Sequence, residues 1–337
     1  MGRHHLSSRP SSIALVMVLT AVLAWGVASA CNGDSPGSTA GSGNGSPAAL
    51  RIVVSTTVIA DWVAQVGGDA VKVTALIPLG ADAHTFRLTP GDVIDLAAAD
   101  LVVLSGAGLE SGFRTVIAEN TEAPVLDLAA ALNLDSAFDV DANSADGVDP
   151  HYWLDAGEAI SALSLIAATL GEHTPSLAAD FRDNASAYGA SIAVADEDIA
   201  RRLGALTDSQ RTLVTFHDAF GYFARRYDLE ILGFVVEGPD EEPSAEDIAA
   251  LVTAMRERGA RVIFTEPQFN ARVVEQVANE TGATIRILHS QLSEATPTYL
   301  SLLRANAAAL TGVPTDAAGA ELTSTLRRES AAEMALL

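Results

Sequence analysis

The chain is predicted to be an α/β protein of two lobes, each a parallel sheet flanked by helices, joined by one long rigid helix. Short apolar or β-branched runs such as Ile52-Val53-Val54 and Val262-Ile263-Phe264 alternate with helical stretches. That is the pattern of strands buried on both faces and linked by helical crossovers. The alternation breaks once, at an Ala-rich stretch from Leu177 to Leu206 interrupted only by Gly189 and Gly204. Alternating segments of similar size stand on either side of it.

The elements follow in order. Arg51 to Thr56 is a strand, and Val58 to Val66 a helix stopped by Gly67-Gly68-Asp69. Val71 to Ile77 is a second strand; Thr89-Pro90 opens a helix reaching about Ala99. Leu101 to Ser105 is a third strand, Glu110 to Ala118 a helix, and Pro124 to Leu126 a short strand. An acidic loop from Ser136 to Gly147 precedes a helix from Ala156 to Leu170. The linking helix carries Asp180 and Asp183 early and Arg201-Arg202 late, which suits its dipole. At about 1.5 Å per residue it would run roughly 45 Å. Beyond it, strands are expected at Thr212 to Phe216, Glu230 to Phe234, Val262 to Thr265 and Thr284 to Leu288. Helices are expected at Ala219 to Tyr227, Ala245 to Arg258, Ala271 to Thr281 and Pro297 to Leu310. No fine internal repeat is visible.

The ends are of another kind. Arg3, His4, His5 and Arg9 precede an apolar run from Ile13 to Ala30, and Ala28-Ser29-Ala30 stands before Cys31. Residues 1–30 are therefore expected to be a secretory signal peptide, although the apolar run alone would also serve as an uncleaved membrane anchor. Cys31 after small residues resembles a bacterial lipobox, with Ala28 where Leu or Val is usual. Residues 31–49, rich in Gly, Ser, Asn and Pro, are expected to be a flexible tether from a lipid anchor at Cys31. The remaining boundaries are an N-terminal lobe over 50–174, the linking helix over 175–207, a C-terminal lobe over 208–314 and a tail over 315–337. The folded body is expected outside the cytoplasmic membrane.

Cys31 is the only cysteine, which excludes an intrachain disulfide and a cysteine-based zinc or redox site. The formal charge of -23 argues against a nucleic-acid partner and suits attraction of cations. Of seven histidines, His4 and His5 lie in the signal segment. His84, His217 and His289 each come where an apolar run ends, and His151 lies in Asp149-Pro150-His151-Tyr152-Trp153. Ligands of open α/β sheets bind beyond the carboxyl ends of strands. Imidazole is the commonest metal ligand, and a tetrahedral zinc site needs about four donors. A metal site is therefore the reading that uses these four, with His173 left near the start of the linking helix.

In order and spacing, the residues also resemble the metal-specific solute-binding lipoproteins of ABC importers that deliver zinc or manganese. The resemblance rests on Val54-Ser55-Thr56-Thr57, Leu79-Gly80-Ala81-Asp82-Ala83-His84-Thr85-Phe86, Gly106-Ala107-Gly108-Leu109-Glu110, Asp149 to Asp155, Phe216 to Phe223, Glu242-Pro243-Ser244 and Phe264 to Phe269. It implies a metal in the cleft between the lobes, a membrane permease and its ATPase as partners, and action as a monomer. It also implies His84 and His151 as ligands from the N-terminal lobe and His217 where zinc-type members have His and manganese-type members often Glu. Three imidazoles suit Zn²⁺ better than the harder Mn²⁺. The family's usual Asp after the last C-terminal strand is Ser290 here, so the fourth ligand is expected from His289, with Glu266 or water as alternatives. Glu266 could equally support an imidazole or cap a helix, and Asp82 and Asp155 could do the same. A zinc hydrolase is the competing reading, but neither HExxH nor a nucleophile elbow between a strand and a helix is present.

Overall fold

The computed structural model describes residues 49–134, 148–238 and 241–312. The expectations for the signal segment, Cys31, the tether, the acidic loop and the tail lie outside these residues. No helix among the described residues is long and apolar enough to cross a membrane.

The N-terminal lobe alternates β1 (Leu50–Val54), α1 (Thr57–Gly67), β2 (Val71–Ala75), α2 (Pro90–Ala97), β3 (Leu101–Leu104), α3 (Arg114–Asn120), β4 (Val125–Asp127) and α4 (Leu128–Leu132). Its sheet is parallel, in the order β2-β1-β3-β4. Burial follows from that order. All four residues of the inner strand β3 are buried, whereas β2 and β4, at the edges, are partly exposed.

Two departures have local causes. The helix expected from Glu110 begins only at Arg114. Gly106, Ala107 and Gly108 all have positive φ, and the Glu110 carboxylate bends back to accept the backbone N–H groups of Ser105 and Gly106. A Cβ on Gly106 would stand 2.0 Å from Asp127 Oδ1, so this turn requires glycine there. The unexpected α4 is a single turn or so, started by Asp127, whose carboxylate accepts the N–H of Ala130.

After α5 (Ala156–His173), a 3₁₀ turn over Pro175–Leu177 leads into α6 (Ala178–Gly204). His173 is the last residue of α5, near the start of the linking helix as expected. The 27 residues of α6 span about 40 Å. Phe181, Tyr188, Ile192, Ile199 and Leu203 repeat at helical spacing and bury one face of it. That face packs on α1 and α5 of the first lobe and on α10 of the second. Tyr188 donates from its hydroxyl to Asp61 on α1, and the same carboxylate accepts the N–H of Tyr299.

The C-terminal lobe comprises β5 (Thr212–His217), α7 (Gly221–Arg226), β6 (Glu230–Val236), α8 (Ala245–Arg258), β7 (Val262–Thr265), α9 (Arg272–Thr281), β8 (Thr284–Ile287) and α10 (Tyr299–Thr311). Strands β5-β6 and β7-β8 form two parallel pairs, and β5 lies beside β7. The second lobe therefore repeats the spatial order of the first. Ser244 and Thr298 start α8 and α10 with capping boxes, each worth about 1 kcal/mol.

Candidate metal site

His217 is the last residue of β5, and Glu266 directly follows β7. The chain leaves these two neighbouring strands in opposite directions, toward β6 after β5 and toward β8 after β7, which opens a crevice at their carboxyl ends. Strands β5 and β7 lie side by side, so side chains leaving both ends meet. His217 Nδ1 is 2.6 Å from Glu266 Oε1, and both residues are 2% exposed. Burial pushes the His217 pKa down, but the charge and hydrogen bond of Glu266 outweigh it and hold it above the usual value. With Nδ1 engaged, Nε2 is left buried and without a hydrogen-bond partner.

The N-terminal lobe supplies its histidines from loops. His151 starts a 3₁₀ turn over Tyr152–Leu154. Asp149 Oδ1 accepts its backbone N–H at 2.9 Å and pairs with its Nδ1 at 2.7 Å. Trp153 packs edge-on against the ring, and Asp155 caps α5 immediately beyond. His84 lies in the loop from β2 to α2, in a turn closed by Asp82, whose carboxylate accepts from the N–H and hydroxyl of Thr85.

These three histidines converge. Their ring centroids are 5.2 Å (His84–His151), 5.3 Å (His151–His217) and 5.9 Å (His84–His217) apart. One nitrogen from each lies within 4.8 Å of the others. The Nε2 atoms of His84 and His151 are 3.1 Å apart. Two imidazoles on one tetrahedral zinc, at about 2.05 Å, would be separated by about 3.3 Å, so this edge fits a shared ion. The rings, with Asp82, Ala83, Trp153, Ser290 and Gln291, line a cavity of about 10 Å³, room for one water-sized sphere.

The structure does not bring His289 to them. Its Nδ1 faces the hydroxyls of Ser293, at 3.4 Å, and Thr296, at 3.5 Å. Its backbone is fixed on both sides by the Asn306 side chain. Burial holds its pKa below the usual value. Successive side chains at a strand end face opposite ways, so Ser290 lines the cavity and His289 does not. Glu266 is committed as well. Its Oε1 meets His217, while Oε2 accepts from Ser290 Oγ and from Gln268 Nε2.

Two residues missed in the sequence matter to this site, and a third braces the helices behind it. Asp149 orients His151, and its place two residues earlier was the available signal. Trp153 donates its indole N–H to the Ser290 carbonyl at 2.7 Å, tying the His151 loop to the opposite lobe. Arg226, nine residues beyond His217, binds Asp155 at the start of α5 and Asp196 on α6. Gly157 makes room for that pair, since a Cβ there would lie 2.8 Å from the guanidinium.

Residues 52–313 match the family described as "Zinc-uptake complex component A periplasmic", ZnuA. The chain is 29% identical over 260 residues to the manganese-binding lipoprotein MntA of Bacillus subtilis, covering 76% of this chain and 83% of that one. It is 30% identical over 297 residues to the high-affinity zinc uptake system protein ZnuA of Paracoccus denitrificans, covering 77% and 90%. The fold superposes on a crystal structure of ZnuA with a TM-score of 0.71 and 27% identity, over 79% of this chain and 99% of that one. These are substrate-binding proteins of transporters, not enzymes, and the chain belongs to the ZnuA family of metal-binding periplasmic proteins.

Proposed function

We propose that the protein captures Zn²⁺ between its lobes and hands it to the permease and ATPase of an ABC importer. One observation carries the choice of ion: among the described residues the converging donors are His84, His151 and His217, with no carboxylate in the cluster. Imidazole suits the borderline-soft Zn²⁺, whereas oxygen donors suit Mn²⁺. In this reading Asp149 and Glu266 fix the ring orientations, as carboxylates commonly do behind metal-bound histidines. Water beside Ser290 fills the fourth position, in place of His289.

Manganese is the second reading, favoured by the names of relatives such as the Bacillus subtilis protein. Competition titration of the metal-free protein with zinc, manganese and iron decides between them. Manganese binding as tight as zinc would overturn the first reading.

The body, with lobes over 50–174 and 208–314, works outside the cytoplasmic membrane as a monomer held by a lipid on Cys31. Fatty-acid labelling should mark the wild type and miss Cys31→Ala; equal labelling would remove the anchor from this account.

A further inference from the structure

The cavity has room for one ion and its wall is mostly buried, so an ion held there leaves most readily where that wall can move. The wall is unequal. His151 and His217 are 2% exposed and each is backed by a buried carboxylate. His84 is only partly buried, on a loop without regular structure between β2 and α2. That loop is anchored at its base, where the N–H groups of Leu76 and Ile77 bond to Val54 and Ser55, and again where Phe86 packs on Phe113. Its tip, from Pro78 to Thr85, stands between these anchors.

The opposite lobe holds the tip. Gln291 Nε2 donates to the Ala81 carbonyl, three residues before His84, across a sequence distance of 210. Gln291 projects from a fixed post. The N–H of Leu288 bonds to the Thr265 carbonyl, Asn306 grips His289 on both sides, and Trp153 holds the Ser290 carbonyl. A side chain on a rigid segment thus reaches across the cleft to the loop bearing the most exposed of the three clustered histidines.

We propose that Gln291 is a positioning residue: its amide latches the His84 loop shut and sets how long a bound ion stays. The proposal rests on the metal-capture reading above. An open loop gives up one ligand and exposes the ion to solvent or to a partner. The latch is a single neutral hydrogen bond between the lobes, so it slows release without making it irreversible.

The test is the rate at which excess chelator strips zinc from the protein, followed with a chromophoric indicator, with manganese as a parallel arm. Gln291→Ala removes the side chain. Gln291→Met keeps its length and removes the N–H donor without placing a charge beside the ion. Both should release the ion about two- to tenfold faster than wild type, the range of one neutral hydrogen bond. Both should also keep the thermal midpoint of the metal-free protein. Fast release from Gln291→Ala with wild-type release from Gln291→Met would mean that only packing matters, and would overturn the latch. So would unchanged release in both, or a midpoint lowered alike in both. Wild-type protein that bound neither ion would overturn the functional reading and the latch with it; normal binding with unchanged release would overturn the latch alone.

Discussion

Both lobes bury a glutamate after their third strand, and they use it differently. Glu110, 1% exposed, follows β3 and spends both oxygens on the N–H groups of Ser105 and Gly106. Glu266, 2% exposed, follows β7 and turns one oxygen to His217 and the other to Ser290 and Gln268. The same crevice is closed by a backbone turn in one lobe and, in the other, holds the strand-end histidine of the three-histidine cluster. The first lobe therefore has to deliver its histidines from loops, and the second delivers its own from a strand end. A buried carboxylate at a strand end is thus not in itself a sign of a site; what it accepts hydrogen bonds from decides that.

The comparison can be broken first at the ligands. His151→Ala and His217→Ala should each weaken zinc binding more than about 100-fold, beyond the 10–100-fold typical of a supporting group. His289→Ala should leave it nearly unchanged. In chelator-competition titrations, a loss in His289→Ala equal to that in His217→Ala would discard the three-histidine set. Next come the glutamates. Glu266→Gln should cost about 10–100-fold in affinity, and Glu110→Gln none. Equal losses would mean that the two lobes do not divide the work in this way.

His217→Glu sharpens the same contrast in terms of the ion. An oxygen donor beside Glu266 should narrow the preference for zinc over manganese, read as the ratio of the two dissociation constants. A widened ratio would contradict the ligand chemistry proposed here.

Smaller effects fall on stability. Arg226→Ala removes the guanidinium that bridges Asp155 and Asp196, leaving Asp155 only the longer pair with Arg225, at 3.6 Å. It should cost about 1–3 kcal/mol, lowering the melting temperature by several degrees while the metal-binding affinity falls little. The smallest effect is the pH dependence from Glu110. Burial raises its pKa above the usual 4.5, against the opposing hydrogen bonds of Ser55, Ser105 and Gly106. The folded state then holds the proton more tightly than the unfolded state. Its contribution is complete below pH 4.5 and is lost as pH rises through the folded value. Melting curves of wild type and Glu110→Gln should therefore diverge as pH rises from 4 to 8, in favour of Gln. Divergence in favour of the wild type would show that the ionised carboxylate stabilises the turn.

Much of this was legible without coordinates. The buried runs of β3, β5 and β7 lack polar alternation, and that alone marks inner parallel strands. The uninterrupted helical spacing from Phe181 to Leu203 marks the linking helix. Ala245–Arg258 and Val262–Thr265 have the same limits in the sequence reading and in the structure, because capping residues and glycines punctuate them locally. His84, His151 and His217 were identifiable from their places after strands and in motifs. Folding alone settled which atoms meet. His289 and Ser290 differ by one residue, and the side-chain alternation of an extended segment decides which of them lines the cavity. Glu266 and His217 lie 49 residues apart, and Gln291 and Ala81 lie 210 apart. Periodicity and capping are properties of neighbours along the chain. Hydrogen bonds across a cleft depend on sheet order and on the docking of whole lobes, which no local pattern encodes.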